Sequence, residues 1–209
     1  MNSIEVLPNV DIHAKGVVSE KFLEHGIKTF CAACHWIKDL PYGFNSNSEN
    51  SLILFQENRG TCTTKHGVIA RLAHELELEI YKNLGFYRLN DEIVIGVNAI
   101  IQSHGLSFIP QIHCFLEYGS FKVDLTEGNC NGKNKTIEDY DFVVRVTPDL
   151  TYEEENKYYI NYLNQYFTIE PRLAQVSIPT ILELLEACNK QVKYQCSVMS
   201  NRNFAFTAQ

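Results

Sequence analysis

The sequence predicts an α+β fold, because its hydrophobic period changes partway along the chain and helix signals return near the end. Through roughly the first 80 residues apolar side chains recur at helical spacing. Beyond Gly85 they alternate or run continuously, and after Thr151 an acidic first turn and a well-placed proline announce helices again. The 209 residues, 45% hydrophobic and 21% charged, suffice for one sizeable core and lack the composition of a disordered chain. No repeat, low-complexity tract or linker divides them, so one domain over 1–209 is expected.

Taken in order, Met1–Lys15 reads as an extended start broken by Pro8 and Asn9. Ser19 is the predicted cap of a helix beginning near Glu20, with Phe22, Leu23, Ile27, Phe30 and Ala33 or Cys34 on its apolar face. Leu40-Pro41-Tyr42-Gly43 ends it. The Asn- and Ser-rich stretch 44–50 predicts a loop, and a short apolar helix over 51–56 follows. From Thr63 onward Ile69, Leu72, Ala73, Leu76 and Ile80 fall at helical spacing, with Gly85 as the stop.

Phe86–Leu89, Ile93–Ile101, Ile112–Tyr118 and Phe121–Leu125 are strand-like. Gly119-Ser120 suits a two-residue hairpin turn, which sets Tyr118 opposite Phe121, Phe115 opposite Asp124 and His113 opposite Thr126. In that register His113 and Asp124 are diagonal neighbours on one sheet face, roughly 7–8 Å apart at the backbone. A turn-rich loop over 128–135 precedes a strand at Phe142–Val146. Thr151 with Glu153, Glu154 and Glu155 opens a helix running to about Phe167, and Pro179 opens another from Thr180 to about Gln191, with a loose tail after Gln195.

The formal charge of −7 provides no electrostatic footprint for nucleic acid or for an anionic membrane surface. No apolar run approaches the ~20 residues that span a bilayer. Seven cysteines without regular pairing, and a Met1–Ser19 segment without a basic-then-apolar leader pattern, predict reduced thiols and a cytoplasmic protein.

Chemistry concentrates at Arg59-Gly60-Thr61-Cys62. Cys62 falls in or just before the first turn of a predicted helix, where backbone N–H groups and the positive dipole end favour a thiolate. His113 and Asp124 follow in order on consecutive strands. An imidazole that takes the thiol proton, and a carboxylate that fixes its tautomer, are what thiol catalysis needs. The N–H of Cys62 is a candidate half of an oxyanion hole. For the second donor a resemblance implies two rivals: Gln56, six residues before Cys62, is similar in spacing to the glutamine of papain-like proteases, and Trp36 is the residue type that transglutaminases tend to use. The ordinary reading of Gln56 is an exposed side chain, and that of Trp36 is packing. Lys65 and His66, within the first turn after Cys62, read first as a solvated helix face, the alternative being that either lowers the Cys62 pKa by charge or lines the site.

These same residues carry a family resemblance. Gly60-Thr61-Cys62 resembles the G-x-C of transglutaminase-like proteins of the papain-like superfamily, His113 to Glu117 their H-x-aromatic-x-E strand, and Asp124-Leu125-Thr126 their D-x-T. It covers about 37–126 and leaves the C-terminal helices over 151–191 as unassigned additions. The resemblance implies a transglutaminase-like α+β fold in which N-terminal helices place the nucleophile, at a helix start, on an antiparallel sheet. It also implies Cys62 as nucleophile, His113 as base and Asp124 as its partner. The implied activity is amide or peptide hydrolysis, or acyl transfer, through a thioester on an amide- or thioester-containing substrate such as a peptide or protein. No cofactor is implied. The alternative is a catalytically silent relative that binds a peptide or protein in the same groove. Cys31-Ala32-Ala33-Cys34-His35 matches the pattern of c-type haem attachment, but it lies in a predicted helix with Cys34 on the core side, and no second ligand pair follows.

Overall fold

The computed structural model describes residues 1–47, 49–50, 52–127, 129–166 and 171–206, with side chains through Met199. Ser51, Gly128 and Phe167, which bound three predicted segments, lie outside the described residues. The helices are α1 (Val17–Glu24), α2 (Phe30–Asp39), α3 (Ile53–Glu57), α4 (Cys62–Glu75), α5 (Val97–Ile101), α6 (Tyr152–Tyr166) and α7 (Ile178–Phe206). The strands are β1 (Ile80–Leu89), β2 (Ile109–Tyr118), β3 (Phe121–Val123) and β4 (Phe142–Val146). They form one antiparallel sheet in the order β3-β2-β1-β4, so the protein is α+β.

The hairpin has the predicted register, with Leu116 opposite Val123, Glu117 opposite Lys122 and Tyr118 opposite Phe121. Gly119 supplies the positive φ of 56° that the tight turn requires. The N-terminal segment reaches the outer strand, where Asn2 bridges Val123 and its N–H donates to the Lys122 carbonyl at 2.7 Å. That contact partly covers an edge strand.

The chain divides into two compact units, the first made of 1–85, 113–129 and 143–151 and the second of 86–112, 130–142 and 152–209. In the first, α1, α2 and α4 pack around Phe22, Phe30, Ile37, Leu54, Ile69 and Leu72, with Leu116 and Val123 in the same core. In the second, Phe86 stacks on Tyr162 with ring centroids 4.2 Å apart, and the buried Tyr159 hydroxyl donates to the Pro110 carbonyl at 2.6 Å.

Several expectations are corrected. The helix predicted from Glu20 to Leu40 is two helices, α1 and α2, because Gly26 turns left-handed at φ 73° and Thr29 caps a new start. Ser19 is not the cap of α1. It sits in the first turn, and its hydroxyl oxygen accepts from the N–H groups of Gly16 and Lys15, both at 3.0 Å. The first turn of α1 also receives the Glu75 carboxylate, which accepts from Val18 and Ser19 at 3.1 and 2.7 Å and offsets the helix's positive end. This needs a glycine at position 16, since a Cβ there would lie 2.4 Å from Glu75 Cδ.

α4 stops at Glu75 rather than at Gly85. Glu77 turns left-handed at φ 58°, the Leu78 N–H reaches back to the Ala73 carbonyl at 2.9 Å, and Ile80 and Gly85 belong to β1. The run Ile93–Ile101 is not a strand. Its first residues turn over the Asn90 carbonyl, Gly96 takes φ 90°, and Asp91 and Asn98 exchange backbone-to-side-chain bonds that start α5. The last helix continues well past Gln191, to Phe206.

Candidate active site

Cys62 is the first residue of the fourteen-residue α4, half-buried, with Thr61 as its N-cap. The Thr61 N–H donates to the Thr64 hydroxyl at 3.0 Å, and the Thr64 hydroxyl donates onward to Asn45 Oδ1 at 2.9 Å, so the turn that aims Cys62 is fixed from both sides. Gly60 is required just before it, because a Cβ there would stand 2.7 Å from the Thr64 hydroxyl and 2.9 Å from Leu54 Cδ1.

His113 and Asp124 meet as the register predicts. His113 Nε2 lies 2.7 Å from Asp124 Oδ2, and both side chains are almost wholly buried. An ionised carboxylate only accepts, so Nε2 carries the proton and donates. In the neutral ring Nδ1 then holds the lone pair. The other carboxylate oxygen, Oδ1, accepts from both the N–H and the hydroxyl of Thr126, each at 2.7 Å. Three donors converging on one buried carboxylate leave it little freedom to rotate. The third position of the D-x-T motif is therefore the clamp on its first.

Two residues expected on a solvated face are wholly buried instead. His66, one turn after Cys62, donates from Nδ1 to the Cys62 carbonyl at 2.8 Å. Its Nε2 accepts the Leu125 N–H, also at 2.8 Å, which fixes the tautomer with the proton on Nδ1. That Nε2 is also 3.4 Å from Asp124 Oδ1, and the His66 and His113 rings stand 6.0 Å apart, nearly perpendicular. Burial lowers the His66 pKa to about 4, with Asp124 opposing and His113 reinforcing the shift. The imidazole is therefore neutral at pH 7.

Lys65 donates to the Lys38 and Leu40 carbonyls at 3.1 and 2.5 Å, at the end of α2. Burial lowers its pKa to about 8, against the pull of Asp124 and Asp39. The expectation for both residues fails because α4 is packed on several sides, so its polar side chains serve as internal struts.

The structure thus joins the Cys62 turn, His66, Asp124 and His113 in one connected set. Cys114, next to His113, lies with its Sγ 3.9 Å from the Thr63 hydroxyl, next to Cys62. The two further oxyanion candidates match their ordinary readings. Trp36 stacks on Phe55 at 5.6 Å and meets Phe22 edge-on at 6.0 Å, which is packing. Gln56 is exposed on α3.

Cys34 is fully buried, and burial raises its thiol well above the ordinary value. Cys31 directs its thiol toward the Leu7 carbonyl at 3.6 Å, and His35 pairs with Glu5 at 3.5 Å. Among the described residues no three His, Cys, Asp or Glu side chains are placed so that they could hold a metal ion, and none of the described helices is long and apolar enough to cross a membrane.

His66 leaves one signal in the sequence that a reader could use. It is four residues after Cys62 on a helix, hence on the same face one turn away. Comparison with known proteins adds nothing to these observations: no family model, no curated protein and no solved structure matches the chain.

Proposed function

We propose that this chain is a thiol enzyme of transglutaminase-like type, carrying out acyl-group chemistry on an amide or thioester through Cys62, His113 and Asp124. The observation that carries the reading is the His113–Asp124 bond at 2.7 Å, made through Nε2, in the same unit as a cysteine that opens a helix. Nε2 bonds the carboxylate, so in this scheme Nδ1 is the nitrogen that exchanges a proton with the thiol.

In the reaction, His113 Nδ1 takes the Cys62 proton and the thiolate sulfur attacks the substrate carbonyl carbon. The oxyanion forms at the start of α4, near the Cys62 N–H and the helix's positive end. Collapse breaks the carbon–nitrogen or carbon–sulfur bond. The imidazolium returns its proton to the leaving group, and an acyl thioester remains on Cys62. Water, deprotonated by His113, then releases the acid and restores the thiol. An amine in place of water makes the step a transfer. Water is the default acceptor, because nothing marks a second substrate site.

The test is the pH dependence of iodoacetamide alkylation, resolved by peptide mass spectrometry, in the native protein and in His113→Ala. Cys62 should react fastest of the seven cysteines. Its profile should lie well below the ~8.5 of a free thiol and move toward that value in the variant. A Cys62 that stays inert until alkaline pH, or ignores the loss of His113, rules the enzyme reading out and leaves a binding groove.

A further inference from the structure

We propose that His66 is a positioning residue of this site, a neutral strut protonated on Nδ1 that holds the Cys62 turn at a fixed distance from the segment carrying Asp124. The proposal rests on the thiol-enzyme reading. Its evidence is a pair of 2.8 Å bonds made by opposite edges of one wholly buried ring, Nδ1–H to the Cys62 carbonyl and Nε2 from the Leu125 N–H. An imidazole is rigid, so the two bonds transmit position in a way that two flexible side chains cannot.

Each end bears on a different member of the triad. The Cys62 carbonyl belongs to the residue whose sulfur reacts. Leu125 lies between Asp124 and Thr126, the acceptor and the donor pair that orient His113. Asp124 Oδ1 stands 3.4 Å from His66 Nε2, a position that by charge alone favours a proton on that nitrogen. The Leu125 N–H already occupies its lone pair, and a second N–H there would face the first. The strut is thus confined to the one tautomer that makes both bonds. His66 itself reaches no substrate in this scheme; it acts through Cys62 and Asp124.

The proposal separates two substitutions that a merely space-filling histidine would not. His66→Gln reaches far enough to offer its amide oxygen to the Leu125 N–H, whereas His66→Asn reaches only the Cys62 carbonyl and leaves that N–H without an acceptor. The alkylation profile of Cys62 is measured in both, beside the native protein and His113→Ala. In His66→Asn the midpoint should rise by about one pH unit, an approximately tenfold loss of rate below it. His66→Gln should recover at least half of that rise.

Equal profiles in the native protein and folded His66→Asn overturn the proposal, as does an equal rise in both variants. If the native Cys62 is inert or indifferent to His113→Ala, the enzyme reading is what fails. Nitrogen-15 NMR of the native protein tests the strut without any variant. It should show a His66 ring with a slowly exchanging Nδ1–H and an unprotonated Nε2 at pH 7. A proton on Nε2 at that pH overturns the proposal even where the variants fail to fold.

Discussion

Replacing Asp124 with Asn alters one atom of a buried side chain, and the surrounding donors determine which one. Oδ1 accepts the Thr126 N–H and hydroxyl, both at 2.7 Å, and the backbone N–H cannot reverse its role. The amide oxygen of Asp124→Asn must stay on that side, so its NH2 faces His113 Nε2 at the former 2.7 Å contact. Two N–H groups cannot share one hydrogen bond. His113 is driven to the tautomer with Nδ1 protonated, and the nitrogen needed to take the thiol proton is blocked. A hydrogen bond to a charged partner contributes about 1.5–3 kcal/mol. At 1.36 kcal/mol per pKa unit, its loss should raise the Cys62 alkylation midpoint by about 1–2 units, a roughly 10- to 100-fold slower reaction below it. Turnover of any amide or thioester substrate should fall further, since the same isosteric swap in serine-protease triads costs about 10⁴ in kcat. Circular dichroism should show the native fold, because the Thr126 bonds survive. A folded Asp124→Asn whose alkylation profile superimposes on the native one would refute the chain of reasoning from carboxylate to tautomer to thiol.

His66 also makes stability depend on acid. Its pKa of about 4 in the fold lies below the unfolded value of 6.5, so the unfolded chain binds the extra proton first. Its contribution is complete above pH 6.5 and is lost as pH falls toward 4, by roughly 3 kcal/mol in all. The groups facing the ring are Asp124, His113 and Cys62, so the measurement is the difference in urea midpoints between native protein and His66→Asn at pH 7 and 4.5. That difference should shrink at the lower pH. Gly67→Ala should destabilise by about 1–3 kcal/mol despite alanine's better helix propensity. A Cβ there would stand 2.8 Å from the Pro148 carbonyl oxygen, a backbone atom that cannot step aside, and thermal melting reads the loss. Among the thiols, burial raises the pKa of Cys34, Cys188 and Cys196, and all three are buried. They should resist alkylation until the protein unfolds, which peptide mapping with and without urea checks.

The parts of the site legible in the sequence are those fixed by local rules. A two-residue turn at Gly119-Ser120 determines the whole register of its hairpin, and the register brings His113 to Asp124 without further information. The position of Cys62 at a helix start follows in the same way from the glycine and threonine before it and the apolar period after it. The structure departs from the sequence expectation where one backbone conformation or one polar contact decides the outcome. Helical spacing continues from Leu76 to Ile80, but Glu77 adopts a left-handed conformation that no propensity favours, and the chain leaves α4 for β1.

The apolar run at Ile93 reads as a strand by composition alone, whereas the Asp91–Asn98 exchange starts a helix there. Lys65 and His66, both wholly buried, depart furthest from what the sequence predicts. Charge and polarity ordinarily mark the outside of a helix, because burying them unpartnered costs several kcal/mol. Here the partners are carbonyls of α2, the carbonyl of Cys62 and the N–H of Leu125, all distant in sequence or hidden in the backbone. Hydrogen-bond partners offset much of that cost, and a partnered polar residue holds its neighbours in place more firmly than an apolar one would. A helix that needed only to pack would have leucine or alanine at these positions, whereas Lys65 ties α4 to the end of α2 and His66 ties the Cys62 turn to the segment that carries Asp124.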